Sequence, residues 1–307
     1  EPAETAPAAE EAPAAEAAPA DKKYVVGVAQ CHMNTPYRVA LTTELTAAAK
    51  AKGYNWEFIF TDGQNDPTTQ INNVYDLIAS DVDAILMAPA QSDPLTPVAG
   101  EVMAANIPLV LVDRTISNDD YTTFVGGDNI NAGQVVGQWI VDNFGTEKEV
   151  VVVEMQGTLG ASATNDRHKG FHEIVDKYPN IKVVSDQSAD YTRDTALALM
   201  ENVLQANDHI DVLYSHSDNM ALGAIQAIEA AGRTGEMAVF GTDGQKEAID
   251  AIRAGKMTGT VFYPTGATEA VDLLAKVLNG EAYDKINMLE TPLLLAADAD
   301  AWYDRCF

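Results

Sequence analysis

Short continuous apolar runs alternate along this chain with segments whose apolar residues recur every three to four positions. YVVGVAQ (Tyr24–Gln30) reads as a strand, and Leu41, Leu45, Ala48 and Ala49 then mark one face of a helix. YNWEFIF (Tyr54–Phe60) is a second strand. NDPTTQINNVYDLIAS follows, in which Asp-Pro opens a helix and Ile71, Val74, Leu77 and Ile78 share a face. DAILMAP is a third strand, a helix runs near Pro94 to Ala104, and Leu109–Val112 is a fourth strand, apolar throughout as a strand covered on both faces must be.

The rhythm resumes at EVVVVEMQ, a strand followed by a helix from Ala163 to Lys177. IKVVSDQS is a strand, Thr192 to Ala206 a helix, and DVLYSH a strand. Met220, Ala224, Ile225 and Ile228 line the next helix, and MAVFGTDG and MTGTVFY are strands again. Between Ser117 and Glu149, and beyond Tyr263, the pattern assigns no element. Strand–helix alternation at this spacing predicts α/β architecture with parallel sheets and right-handed crossovers. About ten strands are too many for one strongly twisted sheet. Two Rossmann-like lobes with a pocket between them are therefore expected.

Polar side chains collect where the strands end, the edge at which open parallel sheets bind ligands. They are Tyr37 and Arg38 after the first strand, Asp113 and Arg114 after the fourth, and Arg167 after EVVVVEMQ. Tyr191 follows IKVVSDQS, Ser217, Asp218 and Asn219 follow DVLYSH, Asp243 follows MAVFGT and Tyr263 follows MTGTVF. Any one of these is expected as a solvated loop residue. Their recurrence after strand upon strand points to a cleft. Carboxylates accept from sugar hydroxyls, guanidinium forks donate to them, and tyrosine rings cover the apolar C–H faces of a sugar ring.

Composition narrows the function. The 307 residues are 47% hydrophobic, enough for a large core, and carry a formal net charge of −27. That charge disfavours nucleic acid and anionic membrane surfaces as partners. No apolar run is long enough to span a bilayer. Cys31 and Cys306 match no zinc or redox spacing, and two unpaired thiols are expected. His32, His168, His172, His209 and His216 show no metal-binding spacing, and His216 reads as structural; no metal or cofactor is expected. Gly-x-Ser-x-Gly, His-Glu-x-x-His, Walker A and Gly-x-Gly-x-x-Gly are absent from their expected positions. A sugar-modifying enzyme remains the alternative class. Residues 1–21, almost all Ala, Pro and Glu, predict a disordered linker of the kind that tethers a globular body. The chain opens on Glu1 with no signal peptide, and processing or cloning is expected to have removed what preceded it.

VDR after a buried strand, EMQGTLGASATNDRHKGF, SADYTR, YSHSDNMALGAIQAI and GTDG together resemble the type I periplasmic sugar-binding proteins of ABC importers, the ribose- and galactofuranose-binding branches above all. The resemblance runs from about Tyr24 to near the C-terminus. It implies two lobes joined by a three-stranded hinge, residues 22–127 with 264–290 and residues 128–263 with 291–307. It further implies a ligand set of Tyr37, Arg38, Asp113, Arg114, Arg167, Tyr191, Ser217, Asp218, Asp243 and Tyr263. Thr35-Pro36-Tyr37-Arg38 stands where ribose binders carry Asn-Pro-Phe-Phe, and Arg38 in that place is closer to the galactofuranose branch. Ser217 replaces the family's ligand asparagine, and Tyr263-Pro264 replaces the Gln or Asp of the last crossover. The implied protein is a monomeric receptor, exported, periplasmic or tethered as a lipoprotein. It captures a furanose or pentose monosaccharide and delivers it to an ABC permease, with a chemoreceptor as a second candidate partner. Sugar-sensing repressors share such a body but need a basic helix-turn-helix ahead of it, where this chain has an acidic spacer.

Overall fold

The computed structural model describes residues 23–307, so the linker expectation for residues 1–21 lies outside the described residues. The first half builds β1 (Tyr24–Gln30), α1 (Pro36–Ala51), β2 (Trp56–Asp62), α2 (Pro67–Ala79), β3 (Ala84–Met87), α3 (Ser92–Ala104), β4 (Leu109–Val112) and β5 (Thr123–Gly127). Then come α4 (Asn129–Phe144), β6 (Val150–Met155), α5 (Ser162–Val175), β7 (Ile181–Ser185), α6 (Arg193–Ala206), β8 (Val212–Ser215) and α7 (Asp218–Ala230). The chain closes with β9 (Ala238–Asp243), α8 (Lys246–Arg253), β10 (Gly259–Phe262), α9 (Ala267–Asn279), β11 (Ile286–Leu289), β12 (Leu293–Leu295) and α10 (Ala299–Trp302), ending in a short 3₁₀ turn.

These strands form two six-stranded sheets, ordered β11-β5-β4-β3-β1-β2 and β12-β10-β9-β8-β6-β7. The first is parallel throughout, and in the second only β12 runs antiparallel. Each sheet reverses its strand order once, between β1 and β3 and between β6 and β8, and so has a switch-point crevice at its carboxyl edge. Apolar clusters cover both faces of each sheet. This is why strands such as β3 and β4 are apolar at every position. The chain passes between the sheets three times: after β5, between β10 and α9, and between β11 and β12.

Local chemistry explains the elements that position the cleft. Asp66 caps α2 by accepting from the Thr69 N–H at 2.7 Å, with Pro67 in the first turn. The buried face of α2 carries Val74 and Leu77 but also Gln70, whereas Ile71 and Ile78 are only half-buried. The Gln70 amide donates to the Ala29 and Ala88 carbonyls and accepts from the Ala90 N–H. It thereby ties together the ends of the strands flanking the first switch point.

Several elements go beyond the sequence pattern, chiefly β5, α4, α8, α9, β11 and β12. In α4, Gly133 and Gly137 depress the helical signal, since glycine is among the poorest helix formers. Their place is set by packing. A Cβ on Gly133 would stand 2.1 Å from the Arg167 carbonyl oxygen, and one on Gly170 of α5 would stand 2.0 Å from that of Ile130. Backbone-to-backbone contact between α4 and α5 requires glycine on both sides.

Candidate ligand-binding cleft

The two carboxyl edges face each other across a seam bridged by hydrogen bonds. The Asn65 amide donates to the Thr158 hydroxyl at 3.2 Å, and the Gln91 amide to the Leu159 carbonyl at 3.1 Å. The Ser92 N–H donates to the Gly160 carbonyl at 2.9 Å, and the Thr115 N–H to the Ser162 hydroxyl at 2.8 Å. Behind this seam lies a cavity of about 390 Å³.

Eight of the ten expected residues line the cavity: Tyr37, Arg38, Asp113 and Arg114 from the first lobe, and Arg167, Tyr191, Ser217 and Asp243 from the second. Asp113 is held differently from what its sequence neighbour suggests. Its partner is Arg38, 75 residues away, whose Nη2 donates to Oδ2, while Arg114 Nε stands at 3.7 Å. Arg114 spends its Nη1 on the carbonyls of Pro89 and Ala90 at the end of β3 and lies over the Tyr191 ring of the opposite lobe at 5.3 Å. Burial alone would raise the Asp113 pKa. The charges of Arg38, Arg114 and Arg167 outweigh it and hold the carboxyl below its ordinary value, so the group is ionised.

On the other wall, Arg167 donates from Nε to Asn129 Oδ1 at 2.8 Å and from Nη1 to the His216 carbonyl. Its guanidinium lies 4.5 Å from the Tyr263 ring centre. The Tyr191 hydroxyl pairs with Thr164 at 2.9 Å. Its ring covers Gly157, where a Cβ would come within 2.0 Å of the ring. Ser217 caps α7 by accepting from the Met220 N–H. Asp243 is buried, which raises its pKa, and the neighbouring Asp218 carboxylate adds to the rise while Arg167 opposes it. Three of these residues carry left-handed backbone: Asp113 at φ 66°, Tyr191 at φ 60° and Asp243 at φ 132°. Such conformations cost about 1–3 kcal/mol each and persist where the surroundings over-determine them, commonly at ligand sites.

Asp218 and Tyr263, expected as ligand contacts, stand behind the wall. The Asp218 carboxylate accepts from the N–H groups of Gly244 and Gln245, both at 2.8 Å, and from the Thr260 hydroxyl at 2.6 Å. It braces the turn that aims Asp243, and its burial lifts its pKa to about 6. Tyr263 is fully buried between Arg167 and Tyr37, where its hydroxyl accepts from Asn129 at 3.0 Å and reaches the Asp113 carbonyl at 3.2 Å. Conversely, His32, Thr35, Ala163, Asn219 and Gln245 also line the cavity. Asn219 is already among the strand-end residues of the sequence, and His32 and Gln245 also follow strand ends, so the same rule reaches them. Phe307, near the C-terminus and expected with the second lobe, packs its ring 5.8 Å from Tyr37 of the first. Cys31 and Cys306 are both unpaired and buried. Among the described residues one group could gather a metal ion, Glu154 with His168 and His172, and it lies outside the cavity lining. The sequence pattern gave no sign of this group, because Glu154 comes from a strand and the two histidines from the helix that follows it.

Two parallel-stranded lobes, three crossings and a polar cavity between the carboxyl edges define a two-lobed solute-binding protein. The chain belongs to the periplasmic binding protein domain family, whose match spans residues 26–282. It is 35% identical to the ribose import binding protein of Bacillus subtilis (strain 168), over 89% of this chain and 87% of the relative. It is 36% identical to the galactofuranose-binding protein of Escherichia coli (strain K12), over 88% and 87% of the two chains. Among solved structures, a galactofuranose-binding protein superposes with TM-score 0.87 at 33% identity, covering 92% of this chain and 98% of its own. The binding-protein component of an arabinose ABC transporter from Shewanella sp. ANA-3, bound to L-arabinofuranose, gives 0.83 at 31%, covering 92% and 95%.

Proposed function

We propose that this protein captures one monosaccharide in furanose form between its lobes and presents the closed complex to an ABC permease outside the cytoplasm. The observation that carries the reading is a set of buried, unpartnered donor positions on the cavity wall. Arg38 Nη1, Arg114 Nε and His32 Nδ1 have no hydrogen-bond partner. Buried polar groups are otherwise almost always paired, so these await ligand oxygens. Opposite them, Asp113 and Asp243 accept from hydroxyls. A small neutral polyol, which both donates and accepts at each oxygen, satisfies the two sets together. The relatives named for ribose and galactofuranose favour a monosaccharide over a disaccharide. The relatives named for galactofuranose and arabinofuranose support the furanose form, with galactofuranose the leading candidate and ribose and arabinofuranose next.

A thermal-shift panel of galactose, arabinose, ribose, glucose and maltose tests the sugar. A sugar at a hundredfold its Kd stabilises by about 2.7 kcal/mol, several degrees in Tm. The expected result is a shift with galactose, arabinose or ribose and none with maltose. A shift with glucose or maltose alone would overturn the furanose reading. Closure is tested by small-angle scattering, because a permease senses the closed form only if sugar shifts the population towards it. Saturation is expected to shrink the radius of gyration as the Ser92–Gly160 and Thr115–Ser162 seam forms. An unchanged radius with a tightly bound sugar would rule closure out.

A further inference from the structure

Behind the cleft, Glu154 ends the valine run of β6 with its carboxylate wholly buried, and three imidazoles converge on it. His168 Nδ1 stands 2.9 Å from Glu154 Oε2, and His172 Nε2 stands 3.3 Å from the same oxygen. The two histidines are four residues apart on α5, so their rings share one face, with centroids 4.3 Å apart. One ligand atom from each of the three residues lies within 4.8 Å of the other two. A tetrahedral zinc site with bonds of about 2.0–2.1 Å places its ligand atoms about 3.3 Å apart.

We propose that Glu154, His168 and His172 form a binding site for a zinc-class divalent cation that staples β6 to α5. The surroundings are those of a supported metal site. His172 turns its other nitrogen, Nδ1, to Asp176 Oδ1 at 2.8 Å, the carboxylate–histidine arrangement that fixes ring orientation and raises ligand basicity. Buried His216 donates from Nε2 to Glu154 Oε1 at 2.9 Å, which leaves Oε2 for the ion. Gln156 Nε2, 3.1 Å from His168 Nδ1, is the one competitor and must turn away. The side chains of His168 and His172 are 37% and 24% exposed, so the ion enters from solvent and its fourth position is open to water. Two imidazoles and one carboxylate suit zinc, nickel or copper and disfavour calcium and magnesium, which take oxygen ligands. The staple would also hold the helix that carries Arg167 into the cleft.

The test uses the full chain without an affinity tag, dialysed against micromolar zinc chloride at neutral pH, with bound metal counted per chain. One zinc per wild-type chain is expected, together with a rise in Tm. His168→Ala/His172→Ala, at partly exposed positions, is expected to weaken binding more than about a hundredfold, and Asp176→Asn by about tenfold to a hundredfold. If the double variant is misfolded by circular dichroism, anomalous diffraction at the zinc edge on wild-type crystals decides instead. A peak between Glu154, His168 and His172 supports the site, and a peak elsewhere or none overturns it. No uptake by the wild type, or uptake undiminished in a folded double variant, overturns it as well; the cluster is then a hydrogen-bonded network of imidazoles about one carboxylate.

Discussion

Asp113→Asn is expected to weaken sugar binding by roughly two to three orders of magnitude while leaving the sugar-free protein folded. Asparagine keeps the shape and tolerates the left-handed backbone at φ 66°, which alanine would not. What it removes is the charge that balances Arg38, Arg114 and Arg167. Breaking a buried pair by removing one partner costs about 3–5 kcal/mol, because the remaining charge is left uncompensated. At about 1.4 kcal/mol per decade this is the stated loss. Asp113 and Arg38 are each no more than 3% exposed with the lobes together, so solvent does not screen the loss in that form. With the lobes apart, water reaches the guanidiniums, and the penalty falls on binding. Calorimetry showing a Kd within tenfold of wild type would mean that the pair is incidental to the site.

Gly170→Ala is expected to destabilise the second lobe by roughly 1–2 kcal/mol and to lower sugar affinity with it. The added Cβ would stand 2.0 Å from the Ile130 carbonyl oxygen and 3.0 Å from its Cα, which are backbone atoms with no rotamer to move. Overpacking of this kind costs about 1–3 kcal/mol and occasionally more. Alanine's better helix propensity returns at most about 1 kcal/mol. Relief requires α5 to draw away from α4, and α5 carries Arg167 one turn earlier. Gly100→Ala on α3 makes the same chemical change where the nearest atom is the Asp120 side-chain oxygen at 3.5 Å, and it is expected to be neutral or mildly stabilising. Equal melting temperatures for the two variants would refute the close-packing account.

The edge of the fold that carries the cleft is legible in the sequence. β1, β3, β4, β6 and β8 are local apolar runs, and parallel order places whatever follows them at one edge. Hence Arg38, Asp113, Arg114, Arg167 and Ser217 could each be found from the strand before it, and Tyr191 and Asp243 from β7 and β9 in the same way. α4 and β5 were not legible, because their glycines answer to partners elsewhere in the chain: α5 for Gly133, and the Tyr263 ring for Gly127.

By itself, the sequence determined the lobe architecture and the chemical inventory of the cleft, since periodicity and residue type are local properties. Only the tertiary structure decided the pairings. Arg38 rather than Arg114 hydrogen-bonds Asp113 because the start of α1 and the end of β4 are brought together across 75 residues. Asp218 braces the Gly244 turn rather than facing the cavity because β9 and β10 close around its carboxylate. Glu154 meets His168 and His172 because α5 packs back over β6. A hydrogen bond is settled within about 3 Å, and distance along the chain carries no information at that scale.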